Sequence, residues 1–169
     1  MEYRTYKLTS YDEYYKKYLP EIKSLCREKE VHIAYIMALN EAVCNAFRYN
    51  TAGEYKGEAD INMIVSDNDV MCRIYASTNA FDPRSHYQRI QELAKNPETR
   101  DLDWGDYTQE QEGGRGLWYM LYGSDVLQID VSSHEVSLFI SYPSAGETRT
   151  KKIKNLAKKF FIKKNGVCY

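Results

Sequence analysis

The sequence predicts an α+β fold, a two-layer α/β sandwich in which a mainly antiparallel mixed sheet carries helices on one face. Two patterns predict it. Pairs of runs that alternate apolar and polar residues flank short polar turns, which is typical of β-hairpins with one buried face. Two longer segments repeat apolar residues at intervals of three and four, which is typical of helices with one buried stripe. A layer of helices against an antiparallel sheet is the simplest architecture for these elements.

The first third of the chain predicts a strand followed by two helices. Residues 2–10 are rich in Tyr and Thr, which favours a strand. Ser10 and Glu13 then form the capping box that marks a helix start. Pro20 falls inside this helix and should kink it or split it in two. The second helix is predicted from Val31 to Tyr49, where turn residues end it.

The remainder of the predicted core comes from two hairpins and a third helix. Residues 59–65 and 70–76 alternate on either side of the turn SDND. Residues 127–131 and 136–140 alternate in the same way across SSHE. Between the hairpins, the stretch GGRGLWYMLYGSD at 113–125 predicts a glycine turn that opens a short helix.

Two segments do not fit this pattern. Residues 84–113 are polar and irregular, with one short helix predicted from Tyr87 to Ala94, and a connection of that length is usually functional or mobile. The tail 146–169 repeats apolar residues at helical spacing with lysines between them, which predicts a basic amphipathic C-terminal helix. We expect that helix either to dock on the domain formed by residues 1–145 or to bind a partner or an anionic surface.

The composition is that of a globular protein. The 169 residues carry a formal net charge of −1, so the totals give no indication of a nucleic-acid partner. No apolar run approaches the length of a membrane span, and the N-terminus lacks the apolar core of a signal peptide. The 4 cysteines include no CxxC pair, which favours reduced thiols over a zinc site or disulfides. We therefore expect a cytoplasmic protein without a membrane span.

Glu41 and Asn45 are two polar residues in the otherwise largely apolar stretch ALNEAVCNAFRYN. Their spacing of four puts both side chains on one face of a helix. A carboxylate beside a carboxamide can hold a cation, orient a water molecule or face solvent, and the pair alone leaves all three open. The histidines offer no metal site, because His32, His86 and His134 show no ligand spacing and are expected at the surface.

The pattern Glu-x-x-x-Asn-Ala-x-x-Tyr, formed by Glu41, Asn45, Ala46 and Tyr49, resembles the N-box of the GHKL (Bergerat-fold) ATPase superfamily. The later GGRGLW is similar to the second glycine box of that superfamily, and the order of predicted elements matches. Among its branches, the chain most resembles the small anti-sigma-factor serine/threonine kinases. Those proteins are of this length and often read FDP after the first glycine box, as residues 81–83 do here. The resemblance covers most of the chain and implies a histidine-kinase-like ATPase domain.

The resemblance also implies roles for individual residues. Asn45 would ligate Mg²⁺, and Glu41 would polarise the attacking nucleophile, which is a serine hydroxyl in a kinase or water in an ATPase. Residues 84–113 would form the lid over ATP. Backbone at the glycine turn could approach phosphate closely, and the following helix N-terminus favours an anion. The further nucleotide-binding residues would be Arg48, Tyr49, Gly114, Arg115, Gly116 and Leu117.

The first glycine box departs from the pattern of the family. The family reads Asp-x-Gly-x-Gly before FDP, whereas Ala76, Thr78 and Ala80 stand at those positions here. The family's Asp accepts a hydrogen bond from the adenine amino group, which alanine cannot do. Losing a charge-assisted hydrogen bond costs roughly 1.5–3 kcal/mol, or about one to two decades in affinity. The phosphate half of the site therefore fits the family, and the adenine half does not.

Two functions follow as expectations. The first is an ATP-binding regulator resembling an anti-sigma serine kinase. It would use ATP and Mg²⁺ to phosphorylate a serine of a small antagonist protein, and it would bind a sigma factor. A homodimer is one possible arrangement of such a protein. The second is a non-enzymatic protein-interaction module that keeps the fold but has lost adenine recognition. A detached sensor-kinase ATPase domain is less favoured, because nothing in the sequence resembles a dimerisation helix with a phosphorylatable histidine.

Overall fold

A computed structural model of the chain describes residues 1–79, 83–108 and 115–168. None of the helices in these ranges is long and apolar enough to cross a membrane. The strands in the described ranges are β1 (Glu2–Leu8), β2 (Ala59–Val65), β3 (Asp69–Ala76), β4 (Val126–Asp130), β5 (Glu135–Ser141), β6 (Phe160–Lys164) and β7 (Val167–Cys168). The α-helices there are α1 (Tyr11–Glu13), α2 (Leu19–Glu28), α3 (Ala34–Arg48), α4 (Arg84–Lys95), α5 (Trp104–Thr108), α6 (Arg115–Gly123) and α7 (Ile153–Leu156).

The described strands form one mixed sheet in the order β1-β2-β3-β5-β4-β6-β7. Neighbouring strands are antiparallel except β4 and β6, which run parallel. Both predicted hairpins are confirmed, since β2 pairs with β3 and β4 pairs with β5. Along β2 and β3, buried residues alternate with more exposed ones, so one face of the sheet packs on the core. The fold is thus α+β with a mostly antiparallel mixed sheet, and it is consistent with a two-layer sandwich.

The predicted Ser10 cap and the predicted interruption at Pro20 are both present, but Glu13 binds the N–H of Thr9 instead of that of Ser10, one residue from the position in a capping box. The Ser10 hydroxyl accepts a hydrogen bond from the Glu13 backbone N–H at 3.0 Å, and the Glu13 carboxylate accepts one from the Thr9 N–H at 2.9 Å. A π-helical turn at Tyr14–Tyr18 separates α1 from α2, whose first turn contains Pro20. Proline has no N–H, and its ring clashes with the carbonyl four residues earlier. The wider turn before Pro20 is the local accommodation of that residue.

Helices α3 and α6 approach each other very closely. A Cβ placed on Gly123 would lie 2.7 Å from the Ala38 Cβ, 2.8 Å from the Ala34 carbonyl carbon and closer still to the Ala34 carbonyl oxygen. Only glycine therefore permits this spacing of the two helices. The same packing places Gly116, at the start of α6, beside Glu41 of α3.

The buried side chain of Arg149 ties the segment before α7 to the C-terminus of α6. Its guanidinium donates hydrogen bonds to the carbonyls of Tyr122 and Ser124, both at 2.6 Å, and pairs with the Asp125 carboxylate at 2.7 Å. The Lys159 ammonium donates to the Ser124 carbonyl at 2.9 Å. Cations stabilise the last carbonyls of a helix through hydrogen bonding and the helix dipole. The C-terminal segment is therefore anchored to the end of α6.

The prediction of a C-terminal helix is wrong for most of the tail. After α7 and a 3-10 turn at Ala157–Lys159, the chain extends as β6 alongside β4. Phe160 and Ile162 are buried whereas Phe161 between them is exposed, which is the alternation of a strand. The free edge of β4 supplies backbone hydrogen-bond partners that are remote in sequence, so the extended conformation satisfies the backbone as well as a helix would. The end of the chain is thus part of the sheet.

The predicted irregular segment 84–113 contains more regular structure than its composition indicates. The short helix expected there is confirmed and is longer, since α4 begins at Arg84 and ends at Lys95. Ile90 is fully buried, the Tyr87 ring packs edge-on against Phe160 at 5.5 Å, and the Gln91 amide donates to the Ala157 carbonyl at 2.9 Å. Helix α4 packs on the C-terminal segment, and the prediction of irregular chain is wrong for α5, Trp104–Thr108. Residues 109–113 lie outside the described residues.

Candidate functional site

A cavity of about 920 Å³ lies between α3, the start of α6 and the inner face of the sheet. Every predicted site residue that the structure describes lines this cavity. These residues are Glu41, Asn45, Arg48, Tyr49, Ala76, Thr78, Arg115, Gly116 and Leu117. The other two predicted positions, Ala80 and Gly114, lie outside the described residues. Packing of α3 against α6 therefore brings the two ends of the predicted site together.

Glu41 and Asn45 face the cavity from one side of α3. Both are half-buried. No hydrogen bond or ion pair joins either side chain to another described residue. A Cβ placed on Gly116 would lie 3.0 Å from the Glu41 Cδ and closer still to its Oε1, so glycine at 116 leaves the space that the carboxylate occupies. A half-buried carboxylate and carboxamide without protein partners are available to a ligand.

Two arginines lie at this end of the cavity, because Arg48 is one turn after Asn45 on α3 and Arg115 precedes Gly116 at the start of α6. Arg84 and His86 also line the cavity. The Arg48 guanidinium donates to the Tyr55 hydroxyl at 3.3 Å, and that hydrogen bond raises the pKa of the guanidinium above its usual value. Arginine remains charged at all physiological pH values and matches the geometry of phosphate oxygens. This end of the cavity is therefore suited to an anion.

Much of the remaining lining of the cavity is apolar. It consists of side chains from the inner face of the sheet and from α3 and α6. Its residues are Ala42, Ala46, Ile74, Ala76, Met120, Ile129, Val131, Val136 and Phe160. Several of these, including Ala76 and Phe160, are almost completely buried. A flat apolar group attached to an anion would fit the two halves of the cavity at once.

Backbone hydrogen bonds join the residues that follow β3 to the residues that follow α3. The Thr51 N–H donates to the Ser77 carbonyl at 2.8 Å, and the Asn79 N–H donates to the Tyr49 carbonyl at 2.7 Å. These bonds fix Thr78 at the mouth of the cavity. Its hydroxyl lies 3.2 Å from the Nδ1 of His134, which belongs to the turn between β4 and β5.

Several lining residues were missed by the sequence analysis. His86 and His134 are exposed, as expected of surface residues, but both also line the cavity, which was not predicted. Phe160 was assigned to a helix and reaches the cavity because it begins β6. The short apolar run at 160–162, which is aromatic and β-branched and is flanked by lysines, was the sequence signal that could have identified this strand. The antiparallel pairing of the predicted strands β3 and β5, had it been inferred, would have placed His134 near Ala76.

The described residues contain no group of three or more His, Cys, Asp or Glu side chains placed to hold a metal ion. The donor pair on α3, the Asn45 carboxamide and the Glu41 carboxylate, instead suits a hard cation that arrives with an anionic ligand. Mg²⁺ behaves in this way, because it keeps several waters and is commonly bound through substrate phosphates and one or two protein oxygens. No family model matches the chain, and no curated protein matches it.

Proposed function

We propose that this cavity binds Mg²⁺ and a nucleoside triphosphate within a GHKL-type fold, and that ATP is the nucleotide suggested by the resemblance. The observation that carries the proposal is the pair Glu41 and Asn45. Both side chains line the cavity without a hydrogen bond or ion pair to another residue in the described ranges, beside Gly116 at the start of α6. The motif residues that resemble the N-box and the second glycine box are distant in sequence and adjacent in space.

The phosphate end would be formed by α3 and α6. The Asn45 carboxamide oxygen would ligate Mg²⁺, and Arg48 and Arg115 would contact phosphate oxygens. The N-terminus of α6 would add unpaired N–H groups and the positive end of its dipole. Bound Mg²⁺ would supply neutralisation of the phosphate charge. Tyr49 and Leu117 line the same region and would contact the sugar or the phosphates.

In an active enzyme the reaction would be transfer of the γ-phosphoryl group to a serine or threonine hydroxyl of a protein partner. Glu41 would orient that hydroxyl and accept its proton, while the bond between the γ-phosphorus and the nucleoside diphosphate breaks. The resemblance suggests a sigma factor and its antagonist as the partners. A homodimer is the oligomeric state proposed with it.

A second candidate function is a non-enzymatic interaction module of the same fold. The observation that favours it is Ala76, a buried residue at the apolar end whose methyl group offers no hydrogen bond to an adenine amino group. Such a module would keep the cavity as a structural remnant and would bind a protein partner without phosphoryl transfer.

The experiment is a comparison of Asn45→Ala with Asn62→Ala, a substitution at an exposed asparagine on the other face of the sheet. Millimolar ATP with Mg²⁺ should raise the melting temperature of the wild type and of Asn62→Ala. At a hundredfold excess over Kd the stabilisation is about 2.7 kcal/mol, or roughly 5–10 °C for a chain of this size. Asn45→Ala should abolish the rise. No rise with any nucleoside triphosphate would disprove the proposal.

The choice between the two functions needs a measurement of phosphate release or transfer. Glu41→Gln keeps the shape of the side chain and removes its charge, so it should bind nucleotide but lose turnover if the chain is an enzyme. If the wild type binds nucleotide and shows no more turnover than Glu41→Gln, the non-enzymatic module is the better description.

A further inference from the structure

His32 lies in the turn between α2 and α3 and bonds to two segments of the chain. Its backbone N–H donates to the Ser144 hydroxyl at 3.1 Å, which joins the turn to the residues that follow β5. Its ring nitrogen Nδ1 accepts a hydrogen bond from the Ala34 backbone N–H, also at 3.1 Å. Ala34 is the first residue of α3 and is only 1% exposed. The imidazole therefore supplies the acceptor for one of the backbone donors at the start of α3.

The direction of this bond fixes the protonation state of the His32 ring. A backbone N–H can only donate, so Nδ1 carries a lone pair and the ring proton lies on Nε2. The bond runs from the backbone of residue i+2 to the side chain of residue i, as it does at 2.9 Å from Ala52 to Asn50. His32 thus acts as asparagine does in such a turn, but only while its ring is neutral.

In the described part of the chain, the charged groups that act on the His32 ring come from the segment after β5. Burial of the ring, together with the charge of Arg149, lowers the pKa of His32 below its usual value of 6.5, and Glu147 opposes this shift. Arg149 is itself paired with the Asp125 carboxylate at 2.7 Å. The neutral ring, which the bond from Ala34 requires, is therefore also the form that these surroundings favour.

Protonation of the ring would place a donor against a donor. An imidazole with protons on both nitrogens cannot accept the Ala34 N–H, so that backbone group loses its partner. Ala34 also lies where α3 and α6 approach each other closely, since a Cβ on Gly123 would meet its carbonyl group. Loss of the cap therefore acts on the pair of helices that border the cavity.

We propose that His32 is a pH-sensitive cap of α3, and that protonation of its ring releases the first turn of α3 and weakens the packing of that turn on α6. This inference does not depend on what the cavity binds. Because the pKa of His32 is lowered in the folded chain, the unfolded chain takes up the proton first as the pH falls. Stability is therefore lost as the pH falls through about 6.5, and the cap is fully formed above that range.

The first test compares the wild type with three variants by thermal unfolding, followed by circular dichroism, between pH 7.5 and pH 5. His32→Asn keeps an acceptor for the Ala34 N–H and does not titrate, whereas His32→Ala removes the acceptor at every pH. Ser10→Ala is the matched control, because the Ser10 hydroxyl caps α1 at 3.0 Å and does not titrate. Carboxylates shared by all four proteins cancel in the differences between them.

At pH 7.5, His32→Ala should melt about 2–4 °C below the wild type, the effect of one lost hydrogen bond in a chain of this size. Toward pH 5, the wild type should lose about the same 2–4 °C relative to His32→Asn and approach His32→Ala. The deficit of Ser10→Ala should stay constant over this range. Constant differences between the wild type and both variants at position 32 would overturn the inference.

A second test observes the ring and the first turn of α3 by nuclear magnetic resonance of the wild type. At pH 7.5 the ring of His32 should carry a proton on Nε2 and none on Nδ1, and it should titrate below pH 6.5. Between pH 7.5 and pH 5, the exchange protection of the Ala34 amide should fall about fivefold more than that of Ile74 in β3. A proton on Nδ1 at pH 7.5, or an equal loss of protection at the two amides, would refute the pH-sensitive cap.

Discussion

Replacement of Gly123 by alanine tests the close approach of α3 and α6, on which the geometry of the cavity depends. The added Cβ would lie 2.7 Å from the Ala38 Cβ and 2.8 Å from the Ala34 carbonyl carbon. Carbon atoms in contact prefer a separation of about 3.5–4.0 Å. The neighbouring atoms are backbone and a short side chain, which cannot rotate away. Helix α6 would therefore have to move by about 1 Å.

The expected cost follows from this displacement. Overpacking of a close-packed core destabilises by about 1–3 kcal/mol. Alanine recovers up to about 1 kcal/mol of helix propensity relative to glycine, and less at the last residue of a helix. The net loss should be about 1–2 kcal/mol in the free energy of unfolding. For a chain of this size, that corresponds to a fall of about 2–8 °C in Tm.

The assay is urea denaturation followed by circular dichroism, with Gly146→Ala as the control. A Cβ on Gly146 would meet nothing within 4 Å, so that variant should unfold at the wild-type midpoint. Gly123→Ala should unfold at a lower urea concentration with an unchanged m-value. An unchanged or higher midpoint for Gly123→Ala would show that the helices are not in the contact described and would refute the reasoning.

Gly116→Ala provides an informative contrast. Its added Cβ would meet the end of the Glu41 side chain, which can rotate away. Stability should therefore change by less than in Gly123→Ala, while the Glu41 carboxylate should be displaced from its position in the cavity. A loss of stability as large as that of Gly123→Ala would contradict this account.

Three further predictions concern the C-terminal segment and helix α4, which packs on it. Arg149→Met should lower the free energy of unfolding by about 2–3 kcal/mol, because the carbonyl of Tyr122 loses a charged donor; a urea midpoint equal to that of the wild type would exclude an anchoring role. Burial, together with the charge of Arg149, lowers the pKa of Lys159 to about 8 from its usual 10.5, so the folded chain releases this proton before the unfolded chain does. The stability of the wild type relative to Lys159→Met should therefore rise between pH 8 and 10.5, and parallel pH profiles of the two urea midpoints would contradict this. Ile90→Ala should cost about 2–4 kcal/mol in the same assay if α4 is part of the core, and a change below about 0.5 kcal/mol would show that it is not.

The common orientation of Glu41 and Asn45 is a local property of the helix, so the sequence is enough to predict it. Residues four apart on a helix lie on one face whatever the rest of the fold does. The spacing of Glu41 and Asn45 therefore predicted their common orientation correctly. The pair could hold a cation, orient a water molecule or face solvent. Which of these applies depends on the residues of α6 that lie against that face, and no local sequence pattern predicts them.

The C-terminal segment shows the opposite case. Its apolar residues fit helical spacing over 153–161, and within that window the helix was a reasonable prediction. Residues 160–162 also form a short run of aromatic and β-branched residues, and short apolar runs are compatible with both a helix and a strand. The strand forms because these residues pair with the edge of β4, which lies about thirty residues earlier in the chain. Because the C-terminal segment became a strand, Phe160 reaches the cavity and Tyr87 of α4 has a partner.

The sequence by itself determined the hairpins, the cap at Ser10, the interruption at Pro20 and the shared face of Glu41 and Asn45. Each of these depends on side-chain periodicity or backbone chemistry within a few residues. Only the tertiary structure decided the parallel addition of β6, the packing of α4 on the C-terminal segment and the position of His134 beside Thr78. Those features depend on contacts between residues far apart in sequence, whose free energy is gained only when the whole sheet and its helices assemble.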